Sequence, residues 1–202
     1  MISRKTTWLK ASGICGILTP IIAFTCILLA ISYSPSFSWT QNALSDLGIQ
    51  SGTTTPLFNY GLISSGIIAL IFASGLFSFL GDKLLGKIGA AVFTLAVVSL
   101  TAIGVFPESV RPTHFYVSVA FFMLFPISML LIVATFLLAD KKQLGWFTFI
   151  VAMIAAVPWV LQFTVPYVEN VAIPETISAV SASMWAIALG YKMIVQSSRS
   201  NK

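Results

Sequence analysis

His114 is the only histidine in the chain, and it nearly closes a short run, FPESVRPTHF (106–115), that also carries Glu108 and Arg111. A carboxylate, a guanidinium and an imidazole lie here within seven residues. Together they supply an acceptor, a bidentate donor and a group that changes charge near neutral pH. A second polar run, SFSWTQNALSDLGIQSGTTTP (36–56), brings Asn42, Ser45 and Asp46. Ser45, Asp46 and His114 are the side-chain types of a nucleophile, an orienter and a base. Adjacent Ser and Asp fit poorly at the two ends of one imidazole, so Ser118, one turn beyond His114, or a water is the other candidate nucleophile. Asp46, Glu108 and His114 are also donor types for a divalent metal with an open position. One histidine is thin for zinc, however, and no G-x-S-x-G or H-E-x-x-H motif occurs. No metal or other cofactor is expected on this reading.

The elements that hold these residues are apolar. The chain is 57% hydrophobic and 8% charged, with a mean hydropathy of +0.96, whereas a soluble domain carries about 25% charged residues. Most of its surface must face something other than water. Six runs are long enough to cross a hydrocarbon core: 8–31, 57–80, 84–106, 114–138, 145–166 and 171–194. Backbone groups in lipid need internal partners, so each run is expected to be a helix. The expected fold is all-α, a six-transmembrane-helix bundle in one domain, with residues 33–56 as an extracytoplasmic loop. The basic start MISRK raises a signal peptide, but its apolar run is too long for one and AISYS is a poor cleavage site.

Charge sets the expected orientation. Arg4, Lys5, Lys10, Lys83, Lys87, Lys141, Lys142, Lys192, Arg199 and Lys202, ten of the eleven basic residues, fall on one side of such a bundle. By the positive-inside rule both termini are cytoplasmic in a multi-pass cell-membrane protein. The net charge of +5 then belongs to the cytoplasmic rim and to anionic headgroups, not to a nucleic-acid surface. Asp82 and Asp140 join that rim, while Asp46, Glu108, Glu169, Glu175, Arg111 and His114 all lie at the opposite ends. Cys15 and Cys26 are eleven residues apart on one helix, about 16 Å of rise, too far to bridge.

Small residues repeat at steps of three and four on three helices: Gly61–Ser65–Ala69–Ala73, Gly86–Ala90–Thr94–Val97–Thr101–Gly104, and Gly190–Ala186–Ser183–Ala179. Such stripes let membrane helices approach closely, and the last two point on to Glu108 and Glu175. An outward-facing polar cluster is therefore expected from Asp46, Glu108, Arg111 and His114, with Asn59 and Glu175 beside it and Gln162 at similar depth. WTQNALSDLG reads as a short amphipathic helix lying in the interface, ended by Gly48. Pro126, Pro158 and Pro166 are expected to interrupt helices four and five.

NALSDLG after the first helix, FNYGLISSG opening the second and FPESVRPTHF before the fourth resemble an uncharacterised prokaryotic family, domain of unknown function 998. The resemblance spans nearly all six helices. It implies a multi-helix membrane fold in which SDLG and FPE…H are shared elements, and it brings no reaction.

Three functional readings stay open at this level. The outer charges bind membrane lipids, either a headgroup or a small polar or anionic ligand, with Arg111 as phosphate donor. They only lock two outer loops of a structural or accessory subunit, with Arg111 on Asp46 or Glu108 and His114 on a loop carbonyl. Or they form an interfacial lipid hydrolase around Asp46 and His114.

Overall fold

In the computed structural model, residues 4–199 are described, so Lys202 of the basic rim lies outside the described residues. The six apolar runs form α1 (Arg4–Ser32), α2 (Thr54–Leu80), α3 (Leu84–Val105), α4 (Thr113–Leu138), α5 (Lys142–Thr164) and α6 (Ala172–Arg199), with one short 3-10 helix, η1 (Leu44–Ile49), between α1 and α2. All six long helices have the length and composition to cross a membrane. Their ends follow local chemistry. Pro56 and Pro174 sit in the first turns of α2 and α6, where a missing N–H costs nothing. Gly81 closes α2 at φ 76°, a conformation that glycine adopts without a Cβ penalty.

Two expectations about the helices need correction, and one proline is added. Pro126 and Pro158 do lie inside α4 and α5, but Pro166 falls beyond the end of α5 at Thr164. Pro20 lies inside α1, a third internal proline. On α6, Ala186 and Gly190 are buried, but Ala179 and Ser183 are only half-buried. The inward face there runs through Glu175, Ser178, Trp185 and Leu189 instead, because the large Trp185 ring takes the axial position.

The helices pack in chain order as a ring, each on the next, and α6 returns against α1. That closing seam is made by glycine: a Cβ on Gly13 would stand 2.5 Å from the Gly190 carbonyl oxygen, and one on Gly190 2.5 Å from that of Gly13. Backbone-to-backbone approach of this kind gains dispersion contact that lipid cannot match. On the other side of α6, an open apolar cleft of about 420 Å³ lies between it and α5, beside Ile154 and Val180.

The axis is closed at mid-depth by four rings. Phe72 of α2, Phe93 of α3 and Trp185 of α6 pack edge-on or tilted against one another with centroids 5.2–6.0 Å apart, and Phe125 of α4 adds to Phe93 at 6.3 Å. The Trp185 indole N–H donates to Thr148 of α5 at 3.2 Å, so its polar edge is satisfied in the core. At the basic end, Lys83 donates to the Leu138 carbonyl at 2.5 Å, and Lys87 pairs with Asp82 at 3.0 Å. That ammonium holds the exposed Asp82 carboxyl below its ordinary value, first through the hydrogen bond and then through its charge.

The glycine seam is a direct test of the ring. Gly13→Ala is predicted to destabilise the protein by about 1–3 kcal/mol through overpacking, read as a lower melting temperature in detergent. An unchanged melting temperature would mean that α1 and α6 do not close against each other.

Candidate functional site

The end of the ring opposite the basic residues is covered by η1, which tucks into the bundle instead of lying in the interface. Leu44 and Leu47 are buried beneath it, Leu47 completely. Gly48 does not end the element, which runs on to Ile49. Its lack of a side chain matters for packing: a Cβ there would meet Asn59 Oδ1 at 2.5 Å. Burying a short helix this way strands its backbone polar groups, and each must find a partner.

Those partners are the residues singled out by the sequence. Glu175 of α6 accepts from the Leu44 N–H through Oε2 at 2.6 Å. Asn59 of α2 donates from Nδ2 to the Gly48 carbonyl at 3.0 Å. A side-chain bond adds to these two: the Ser45 hydroxyl donates to Glu108 Oε2, on the α3–α4 connection, at 3.3 Å. Asp46 turns back on its own loop, where Oδ2 accepts from Asn42 Nδ2 at 2.8 Å and from the Ala43 N–H at 3.0 Å. This is the reciprocal half of a capping box. The preceding loop is pinned to the start of α6 by Asn170 N–H on Thr40 O at 3.0 Å and Ala172 N–H on Asn42 O at 2.9 Å.

The expected four-residue cluster is therefore split. Arg111 pairs with Glu108, and its side chain is 72% exposed; among the described residues it forms no ion pair with Asp46. His114 is buried, with Nδ1 2.7 Å from the Phe106 carbonyl and Nε2 3.3 Å from Ser118 Oγ. A carbonyl only accepts, so Nδ1 carries the proton; in the neutral ring Nε2 then accepts from the Ser118 hydroxyl. Ser45, Asp46 and His114 thus have separate partners and form no triad. No three His, Cys, Asp or Glu side chains among the described residues gather where they could hold a metal ion. Gln162 is apart from the site: its Nε2 donates to the Val168 carbonyl at 2.9 Å, tying the end of α5 to the next loop.

Beneath η1 the ring leaves a partly open cavity of about 60 Å³. Its polar lining is Ser45, Ser118 and Glu175; apolar walls come from Ile27 on α1, Phe58 on α2, Leu100 on α3 and Phe121 on α4. Glu175 is 7% exposed. Its Oε1 has no hydrogen-bond partner among the described residues, and no basic side chain among them pairs with it. Asp46 and Glu108 are the charged groups that act on it electrostatically. Two expected contacts are met, Arg111 on Glu108 and His114 on a loop carbonyl, that of Phe106; sequence reasoning missed the aromatic walls, because Phe58 and Phe121 look like any core position.

A ring of six membrane-length helices with a clamped cap at one end and a small axial cavity defines a multi-pass membrane protein of all-α class. The family model described as "Protein of unknown function (DUF998)" matches residues 17–192. The chain belongs to that family. No curated protein and no solved structure matches it.

The imidazole clamp makes a prediction of its own. His114→Ala leaves the Phe106 carbonyl without its donor, and a loss of about 1–3 kcal/mol is expected, measured as detergent melting. A melting temperature equal to that of the wild type would show that this hydrogen bond does not hold the α3–α4 connection.

Proposed function

We propose that this protein sits in the cell membrane with both termini cytoplasmic and binds the polar end of a membrane lipid, or a small polar ligand, in the axial cavity under η1. The observation that carries the reading is Glu175, a buried carboxyl with one oxygen spent on the cap and the other free in a cavity shared with Ser45 and Ser118. A polar group at membrane depth is costly without a partner, and it is retained where a partner arrives from outside. The aromatic closure below favours entry from the outer side. Asn59, Glu108 and Asp46 serve the site indirectly by holding the cap, Arg111 stands at its rim, and His114 orients Ser118.

The Ser118–His114 contact favours a second reading, ester hydrolysis of a lipid. The imidazole nitrogen facing Ser118 is the unprotonated one, as a general base requires. One experiment separates the readings: lipid mass spectrometry on protein purified from total host lipid, with wild type, Glu175→Gln and Ser118→Ala side by side. A lipid or small-molecule class held by wild type and lost in Glu175→Gln supports binding. A cleaved product that needs Ser118 places hydrolysis first. Identical profiles for all three would overturn both and leave a cap that only locks the bundle.

The orientation rests on the basic rim. In a chain with Cys15→Ala and Cys26→Ala, a membrane-impermeant maleimide is predicted to label Ser51→Cys in intact cells, and Ser198→Cys only after permeabilisation. The opposite pattern would invert the topology and turn the cavity toward the cytoplasm.

A further inference from the structure

We infer that the axial cavity is built for a primary ammonium group, carried by an aminophospholipid headgroup or by a free small amine; this rests on the binding reading above and names its ligand class. The argument is the direction in which each hydrogen bond of the cavity runs. The Ser45 hydroxyl donates its proton to Glu108 Oε2. In the neutral imidazole the Phe106 carbonyl fixes the ring proton on Nδ1, so Nε2 takes the Ser118 proton. The Leu44 N–H is spent on Glu175 Oε2. With these protons committed, and with Glu175 ionised as a bound cation would make it, Ser45 Oγ, Ser118 Oγ and Glu175 Oε1 are acceptors on the three polar residues that line the cavity.

An ammonium supplies three N–H donors and a positive charge, matching three acceptors of which one is a carboxyl oxygen. The surrounding charge points the same way. Glu175, Asp46 and Glu108 are three carboxyls; the one nearby guanidinium, Arg111, is tied to Glu108 and turned largely to solvent. An anionic group in the cavity would meet Glu175 with no donor to receive it, whereas Arg111 at the rim is placed for a phosphate that stays outside. The apolar walls include Phe58, Phe121 and Phe122, whose ring faces attract cations. A trimethylammonium carries no N–H donor, so three acceptors discriminate against it in favour of a primary ammonium.

The test uses the full chain in nanodiscs of phosphatidylethanolamine, phosphatidylcholine and phosphatidylglycerol in equal parts, followed by detergent extraction and mass spectrometry of the lipid retained. Wild type is expected to retain the ethanolamine lipid roughly tenfold or more over the choline lipid, the size of one or two charge-assisted hydrogen bonds. Glu175→Gln, which keeps an acceptor for Leu44 but can turn an amide N–H toward the cavity, should abolish the preference. Ser45→Ala and Ser118→Ala should each weaken it, and they guard against misfolding of the Glu175 variant. Millimolar ethylamine that displaces the lipid, or binds in its absence with the same dependence on Glu175, identifies the free amine as ligand and still supports an ammonium site. Retention of the glycerol or choline lipid, lost in Glu175→Gln, would overturn the ammonium assignment while the binding reading stands. No retained lipid and no amine binding would overturn both.

Discussion

The half of this molecule opposite its basic rim depends on one constraint: a short helix buried at the mouth of a membrane bundle must have its backbone polar groups satisfied by side chains. Water is scarce there, and each stranded amide or carbonyl costs several times a net hydrogen bond. Glu175, Asn59 and Glu108 come from α6, α2 and the α3–α4 connection and meet Leu44, Gly48 and Ser45 of η1. Three separate parts of the ring are thus joined through one six-residue element. The cavity exists because the cap is held above the axis without filling it.

The ring below supplies the rigidity that such a clamp needs. Lipid tails offer helices no hydrophobic drive to associate, so close packing and interhelical hydrogen bonds must do so. The Gly13–Gly190 seam brings two backbones together, and the Phe72, Phe93 and Trp185 rings fill the centre between α2, α3 and α6. With the axis closed at that depth, polar chemistry is confined to the space between the rings and η1. Trp185 bonded to Thr148, and Trp159 donating to Ser178 at 3.0 Å, tie α5 to α6 by side chains where their backbones stand apart.

His114 shows how local geometry reassigns a residue. By type it is a proton carrier; by position its Nδ1 is committed to a carbonyl eight residues earlier. The same bond sets the direction of the Ser118 hydroxyl, so a structural contact at the end of α3 decides whether the cavity meets a donor or an acceptor. Asp46 is the opposite case. A candidate catalytic or ligand carboxylate is spent on Asn42 and Ala43, within its own loop.

The sequence alone determined the class, because crossing a hydrocarbon core leaves a mark that no other fold makes: six apolar runs near twenty residues, with charge swept to their ends. It also carried the family motifs and the short roster of polar residues from which the site is made. It could not decide which of them meet. Pairing Ser45 with Glu108, Asn59 with Gly48 and Leu44 with Glu175 spans separations of 63, 11 and 131 residues. Those pairings depend on how the ring closes and on how deep η1 sinks. Residue type states what a side chain can donate or accept; only the tertiary structure decides which partner uses it, and so what is left over for a ligand.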